Sequence, residues 1–240
     1  MVFADAKSAR EFRRALRDKT GETVELRLRA LPHPFLIRAQ GDDPNALREV
    51  ITYRDVMPPD GFVPRTILNL GANIGSAIAL CAAAFPDATV VGVEPDPDSA
   101  ELCERNAKPY GAKVICAAAW TDDGTVTING SSPGVMRISD RGVEVPAVSL
   151  DALVDEFGPD FVTMDIEGTE RDLLSRNTEW AAKVPCLNIE VHAPYTVEQC
   201  AGDLEFLGYD VSFKPAPRAP RVVVTREGVP GPPGASEPTS

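Results

Sequence analysis

The stretch ILNLGANIGSAIAL, residues 67–80, passes from an apolar run through a small, glycine-rich turn into a second apolar run with helical spacing. Glycine costs backbone entropy, so it is usually placed where a Cβ would block something. Gly71 and Gly75 lie four residues apart around Asn73. They mark either two elements packed unusually close or a ligand lying against the backbone. A strand, a glycine-rich turn and a helix in that order form a nucleotide-binding geometry.

The chain beyond this turn keeps alternating. TVVGV (89–93) reads as a strand and DPDSAELCERNA as a helix, with Asp96 at the N-cap and Pro97 at the first helical position. KVICAAA (113–119) is a third strand, and TVTI followed by the glycine-rich NGSSPG suggests a hairpin excursion. SLDALVDEF is a short helix, FVTMDI (161–166) a strand, TERDLLSRN a helix, CLNIEV (186–191) a strand and TVEQCAGDLEFLG a helix. Such alternation predicts an α/β fold built on a parallel, doubly wound sheet. The last two strands, YDVSF (209–213) and RVVVTR (221–226), are separated only by KPAPRAP. Parallel neighbours need a crossover of a dozen or more residues, so these two should pair antiparallel and close a seven-stranded sheet with a hairpin.

Upstream, DAKSAREFRRALRD (5–18) predicts a helix burying Phe12 and Leu16, one turn apart. Two strand-like runs follow at 23–31 and 34–40, then ALREVITYRDV as helix or strand. Residues 1–64 therefore read as a small N-terminal cap and 65–226 as the main domain. The segment EGVPGPPGASEPTS (227–240) lacks apolar residues to pack and reads as disordered.

Twenty-four basic against thirty-six acidic residues leave a net charge of −12. That surface repels phosphate backbones and argues against a nucleic-acid partner. No apolar run reaches the ~20 residues of a membrane helix, so no membrane partner is expected. The first residues lack the apolar core of a signal peptide. Five cysteines, an odd number without CxxC spacing, read as reduced residues of a cytoplasmic protein. Nothing indicates the oligomeric state.

Glu94 closes the second strand, 23 residues after Gly71, near the spacing at which a carboxylate reaches a ribose diol. A dinucleotide reading requires G-x-G-x-x-G, and this chain supplies Gly71, Asn73 and Ser76. Two of three glycines are missing. S-adenosylmethionine has no pyrophosphate to cradle and suits the looser G-A-N-I-G. The successive blocks LGANIG, VEPDPDSAELCERNA, AAAWTDDG, VSLDALV, VTMDIEGTERDLL and LNIEVH, preceded by YRDV (53–56), resemble FkbM-type methyltransferases over roughly residues 50–213. The resemblance implies a Rossmann-like class I fold using S-adenosylmethionine, generally for O-methylation of hydroxyls on natural products or sugars. It assigns cofactor binding to Asn69, Gly71, Ala72, Asn73, Gly75, Glu94, Pro95 and Asp165. Asn69 departs from the pattern, since the family commonly carries aspartate two residues before the first glycine.

A second constellation stands at the ends of two later strands. MDIEGTE places Asp165 at a strand end with Glu167 and Glu170 beyond it, and IEVH places Glu190 and His192 at the next. Ligands of open α/β sheets bind beyond the carboxyl ends of the strands, so both groups should face the reacting methyl. Methyl transfer to a hydroxyl needs the oxygen positioned and a base for its proton. His192, at an ordinary pKa of about 6.5, suits that task near neutral pH, with Asp165 and Glu190 beside it. The bland readings are a loop histidine and, for Asp165 or Glu167, a helix cap. Asp165, Glu190 and His192 could also hold a divalent ion, although their spacing singles out no metal and none is expected. The function expected is a methyltransferase acting on a small-molecule hydroxyl. The rivals are an NAD-dependent oxidoreductase, disfavoured by the missing glycines, and a non-catalytic S-adenosylmethionine-binding module, for which Asn69 leaves room.

Overall fold

The computed structural model describes residues 2–18, 20–132, 135–176, 178–214 and 219–228. The expected disordered tail lies outside them from residue 229 onward. The frame is a seven-stranded sheet, taken here in spatial order. One edge is β12 (Asp210–Lys214), followed by β13 (Arg221–Thr225), β11 (Cys186–Glu190), β10 (Phe161–Met164), β3 (Thr66–Leu70), β4 (Thr89–Glu94) and β5 (Lys113–Cys116). The central strands run parallel, whereas β13 lies antiparallel to both β12 and β11. This is the Rossmann-like class I methyltransferase layout, with the expected closing hairpin. Every residue of β10, β11 and β13 is buried, which is what an apolar run covered by helices on both faces should give.

The crossovers are α3 (Ser76–Ala84), α4 (Pro97–Ala107), α5 (Leu150–Phe157), α6 (Glu170–Ser175), α7 (Glu179–Lys183) and α8 (Val197–Asp203). Asp96 caps α4 as expected, its carboxylate accepting from the Ser99 amide. At α8 the Thr196 hydroxyl and the Gln199 side chain form a reciprocal capping box.

The structure departs from the sequence reading in four places. KVICAAA is broken at Ala117: β5 stays in the main sheet, while β6 (Ala118–Trp120) peels away into a second sheet. The hairpin excursion is larger than expected, because β7 (Gly124–Ser132), β8 (Val135–Ile138) and β9 (Val143–Ser149) join β6 in a four-stranded sheet ordered β6-β9-β7-β8. Helix α7 has no counterpart in the reading; its buried Trp180 and Ala181 are too few to show a period. In α1 (Ala6–Asp18) the buried face is Ser8, Phe12 and Ala15, while Leu16 is 37% exposed. At about 100° per residue Ser8 and Ala15 fall on one side of Phe12 around the helix and Leu16 on the other, and the helix docks through the Ser8 side.

The first 64 residues hold two helices and a β-hairpin, whose core does not stop at residue 64. Leu26, Phe35, Ile37 and Leu47 pack in one apolar cluster with Ile74, Leu80 and Leu102 of the main domain. Here β2 (Phe35–Arg38) is the inner strand, paired with β1 (Thr23–Leu26), and α2 (Asp43–Tyr53) is the second helix. Two polar ties fix the junction. The Asn106 side chain accepts from the Leu36 amide at 2.8 Å and donates to the Leu36 and Ile74 carbonyls at 2.9 and 2.8 Å. Arg38 grips buried Asp43 with two bonds of 2.8 and 2.9 Å and reaches the Ser99 hydroxyl at 2.9 Å.

Candidate functional site

A cleft of about 760 Å³, counted with its open mouth, lies beyond the carboxyl ends of β3, β4 and β10. Of the residues expected to bind the cofactor, Gly71, Asn73, Glu94, Pro95 and Asp165 line it. Asn69, Ala72 and Gly75 do not. Asn69 and Ala72 are buried at 3% exposure each, and Gly75 backs onto Cys103 of α4.

The turn itself resolves the question of its glycines. Gly71, Asn73 and Gly75 all have positive φ, at 79°, 48° and 87°. A left-handed residue at every second position explains the pattern Gly-x-Asn-x-Gly, since glycine adopts that conformation freely and asparagine tolerates it. A Cβ on Gly71 would stand 1.7 Å from the Asp165 carbonyl oxygen, so the close approach is between two strand ends of the protein itself. Gly71→Ala is therefore expected to destabilise the fold. The left-handed conformation costs a non-glycine residue roughly 1–2 kcal/mol, and the clash adds to it. Thermal denaturation should show a drop of at least about 4 °C; an unchanged midpoint would remove both constraints from this position.

Four of the turn's amides are already spent. Those of Gly71 and Ala72 donate to the Val93 carbonyl, both at 3.0 Å, that of Gly75 to the Ala72 carbonyl at 2.8 Å, and that of Asn73 to the Glu94 carboxylate at 2.7 Å. A pyrophosphate would need such donors free. What the turn offers instead is acceptors: Glu94, whose oxygens each take one backbone amide and keep capacity for a diol, and the buried Asn73 Oδ1, which has no partner among the described residues. Burial of Glu94, at 4% exposure, pushes its carboxyl up to about 7 despite the two amides. These residues fit an adenosine and amino-acid cofactor without phosphates.

At the far wall, Asp165 and Glu167 line the cleft, and behind them stand Glu190 and His192. His192 Nδ1 lies 2.7 Å from a carboxylate oxygen of Glu170, whose side chain is fully buried. His192 Nε2 faces Asp165 Oδ1 at 3.7 Å, Glu190 Oε1 at 3.7 Å and Glu167 Oε2 at 3.9 Å. On its other side Glu190 is held by Arg221, itself buried at 1% exposure and also 3.6 Å from Asp55. Glu167 takes a left-handed φ of 56°, uncommon for a glutamate and typical of residues whose placement is over-determined by a site.

This environment alters the expected acid–base roles. Burial pulls the His192 pKa down, but the hydrogen bond to Glu170 and the charges of Asp165, Glu170 and Glu167 outweigh it and raise it to about 9. The free imidazole is thus protonated at neutral pH, which corrects the expectation of a base titrating near 6.5. Asp165 and Glu190 are both pushed up, first by burial and then by neighbouring carboxylates, against the pull of Arg221 and His192.

Sequence reasoning missed several participants. Glu170 stood in view within the MDIEGTE block, but its role depends on a helix start turning it toward His192. Arg221 carried no signal as an arginine at the head of an apolar strand. Asp42 and Ala46 of the cap, and Ala118, Ala119, Ile128 and Ile138 of the second sheet, also line the cleft. They come from segments that carry no motif.

The chain matches the methyltransferase FkbM domain over residues 69–211. Comparison with curated proteins gives no match. Among solved structures, a SAM-dependent methyltransferase from Agrobacterium tumefaciens is similar at 14% identity and a TM-score of 0.49, with 87% of this chain and 71% of that one covered. Another, from Aquifex aeolicus, is similar at 14% identity and 0.44, with 77% and 93% covered. A putative O-methyltransferase from Klebsiella pneumoniae is similar at 12% identity and 0.40, with 90% and 89% covered.

Proposed function

The chain belongs to the FkbM methyltransferase family and uses S-adenosylmethionine, and on that premise we propose that its methyl acceptor is a hydroxyl group of a small molecule. The observation that carries this reading is the pair Asp165 and Glu167 at the wall of the cleft, with Glu190 and His192 clustered behind them. An alcohol is a weak nucleophile that must give up its proton as the methyl arrives. A dense set of carboxylates around one imidazole supplies both acceptors for that proton and hydrogen bonds that orient the oxygen. When bound, S-adenosylmethionine would supply an electrophilic methyl to the hydroxyl oxygen and keep the S–CH₃ electron pair, leaving as the neutral thioether. The hydroxyl proton passes to the cluster and on to solvent. Glu94 and Asn73 would hold the adenosine side. The cap, through Asp42 and Ala46, would cover the bound acceptor, and the acidic surface disfavours nucleic acid as the target.

The test is incubation with S-adenosylmethionine and a panel of sugars, phenols and polyketide alcohols alongside amines, with mass spectrometry of products and assay of S-adenosylhomocysteine. Methyl ethers are the expected products; methylamines alone would overturn the hydroxyl assignment. Calorimetry should also show Glu94→Ala weakening S-adenosylmethionine about ten- to a hundredfold, the usual cost of losing a charged hydrogen-bond partner. Unchanged affinity would remove Glu94 from the cofactor site.

A further inference from the structure

We propose that the hollow bounded by His192 Nε2, Asp165 Oδ1, Glu190 Oε1 and Glu167 Oε2 is a binding site for a divalent metal ion of the Mn²⁺ type. The donor atoms of Asp165, Glu190 and His192 all lie within 4.8 Å of one another. Yet Nε2 stands 3.7, 3.7 and 3.9 Å from its three carboxylate neighbours, too far for a hydrogen bond to any of them. Ligands about 2.1–2.3 Å from a shared ion sit roughly 3.0–3.7 Å apart, so the separations of Nε2 from its carboxylate neighbours are close to those of ligands that share one ion.

Glu190 is 8% exposed, and Arg221 takes its Oε2. Its Oε1 turns toward His192 Nε2 at 3.7 Å, beyond hydrogen-bond distance. The imidazole is set up from behind as a ligand. Nδ1 is engaged by the buried carboxylate of Glu170, which fixes the ring and leaves Nε2 to coordinate. Charge agrees as well: Asp55, Asp165, Glu167, Glu170 and Glu190 converge on one arginine and one histidine. Three carboxylates with one imidazole suit a first-row divalent ion better than calcium or magnesium, which prefer oxygen alone. Because Asp165 and Glu167 also line the cleft, an ion there has a face open to the acceptor oxygen, whose proton it would make easier to release to water. That use rests on the hydroxyl-methylation reading; binding of the ion does not.

The full-length protein, stripped with EDTA and dialysed, should be titrated with MnCl₂ by calorimetry and by loss of the free-ion electron paramagnetic resonance signal. One site per chain is expected. Glu190→Gln and Asp165→Asn should each weaken it at least about tenfold, the second variant sparing the Arg221 pair. Circular dichroism would establish that each remains folded. Absence of binding at millimolar Mn²⁺, or binding undiminished in both folded variants, would overturn the site. Mn²⁺ binding without methylation of any alcohol would sustain the site and sink the hydroxyl reading; methyl-ether formation at full rate in EDTA without Mn²⁺ binding would do the reverse.

Discussion

His192→Ala is expected to lower methyl transfer roughly 10²–10⁴-fold, the range for removing a group that handles the transferred proton. Affinity for S-adenosylmethionine should stay within about threefold, less than 1 kcal/mol. The asymmetry follows from position: His192 stands behind Asp165 and Glu167 and does not line the cleft, whereas Gly71, Asn73 and Glu94 do. Glu170→Gln should act through the imidazole. It removes the charge that holds Nδ1, so the rate limb that depends on His192 should move to lower pH while cofactor affinity is kept. Single-turnover kinetics on an acceptor found by the product screen, with parallel calorimetry, measures both quantities. A His192→Ala enzyme as fast as the wild type would leave positioning alone as the catalytic device.

In EDTA, the stability of the folded chain is expected to decline as pH rises from about 4.5 to about 9. Glu94 is raised from 4.5 to about 7 and His192 from 6.5 to about 9, so the native state holds protons that the unfolded chain gives up. For both groups the contribution is complete below the unfolded pKa and is lost as pH climbs through the folded one. The histidine limb, between 6.5 and about 9, is worth roughly 3 kcal/mol by this linkage, or several degrees of melting temperature. His192→Ala should flatten that limb and leave the acidic one, which urea denaturation at a series of pH values would resolve. A wild-type profile flat from pH 6.5 to 9 would mean that the carboxylates around His192 do not hold its proton.

The alternation of apolar strands and helices, the short link before the last strand and the G-A-N-I-G turn sufficed to read the sheet, its closing hairpin and one wall of the cleft. Those features are local: a strand of five residues or a capped helix announces itself within its own length, and Glu94 is placed by the strand it ends. Asp165, Glu190 and His192 were legible for a related reason, since strand ends in an open α/β sheet converge on one edge. Their chemistry was not legible. The tertiary structure decided that Gly71 is needed against the Asp165 carbonyl, that Glu170 grips Nδ1 and that Arg221 holds Glu190. It also carried β6 away from the main sheet, so that Ala118 and Ala119 form a cleft wall. Contacts between residues twenty to a hundred positions apart leave no period in the chain. The pKa of His192 is the sum of such contacts, which is why sequence alone put the imidazole at a strand end facing the cleft with an ordinary titration, while the fold set it behind Asp165 and Glu167 and raised its pKa.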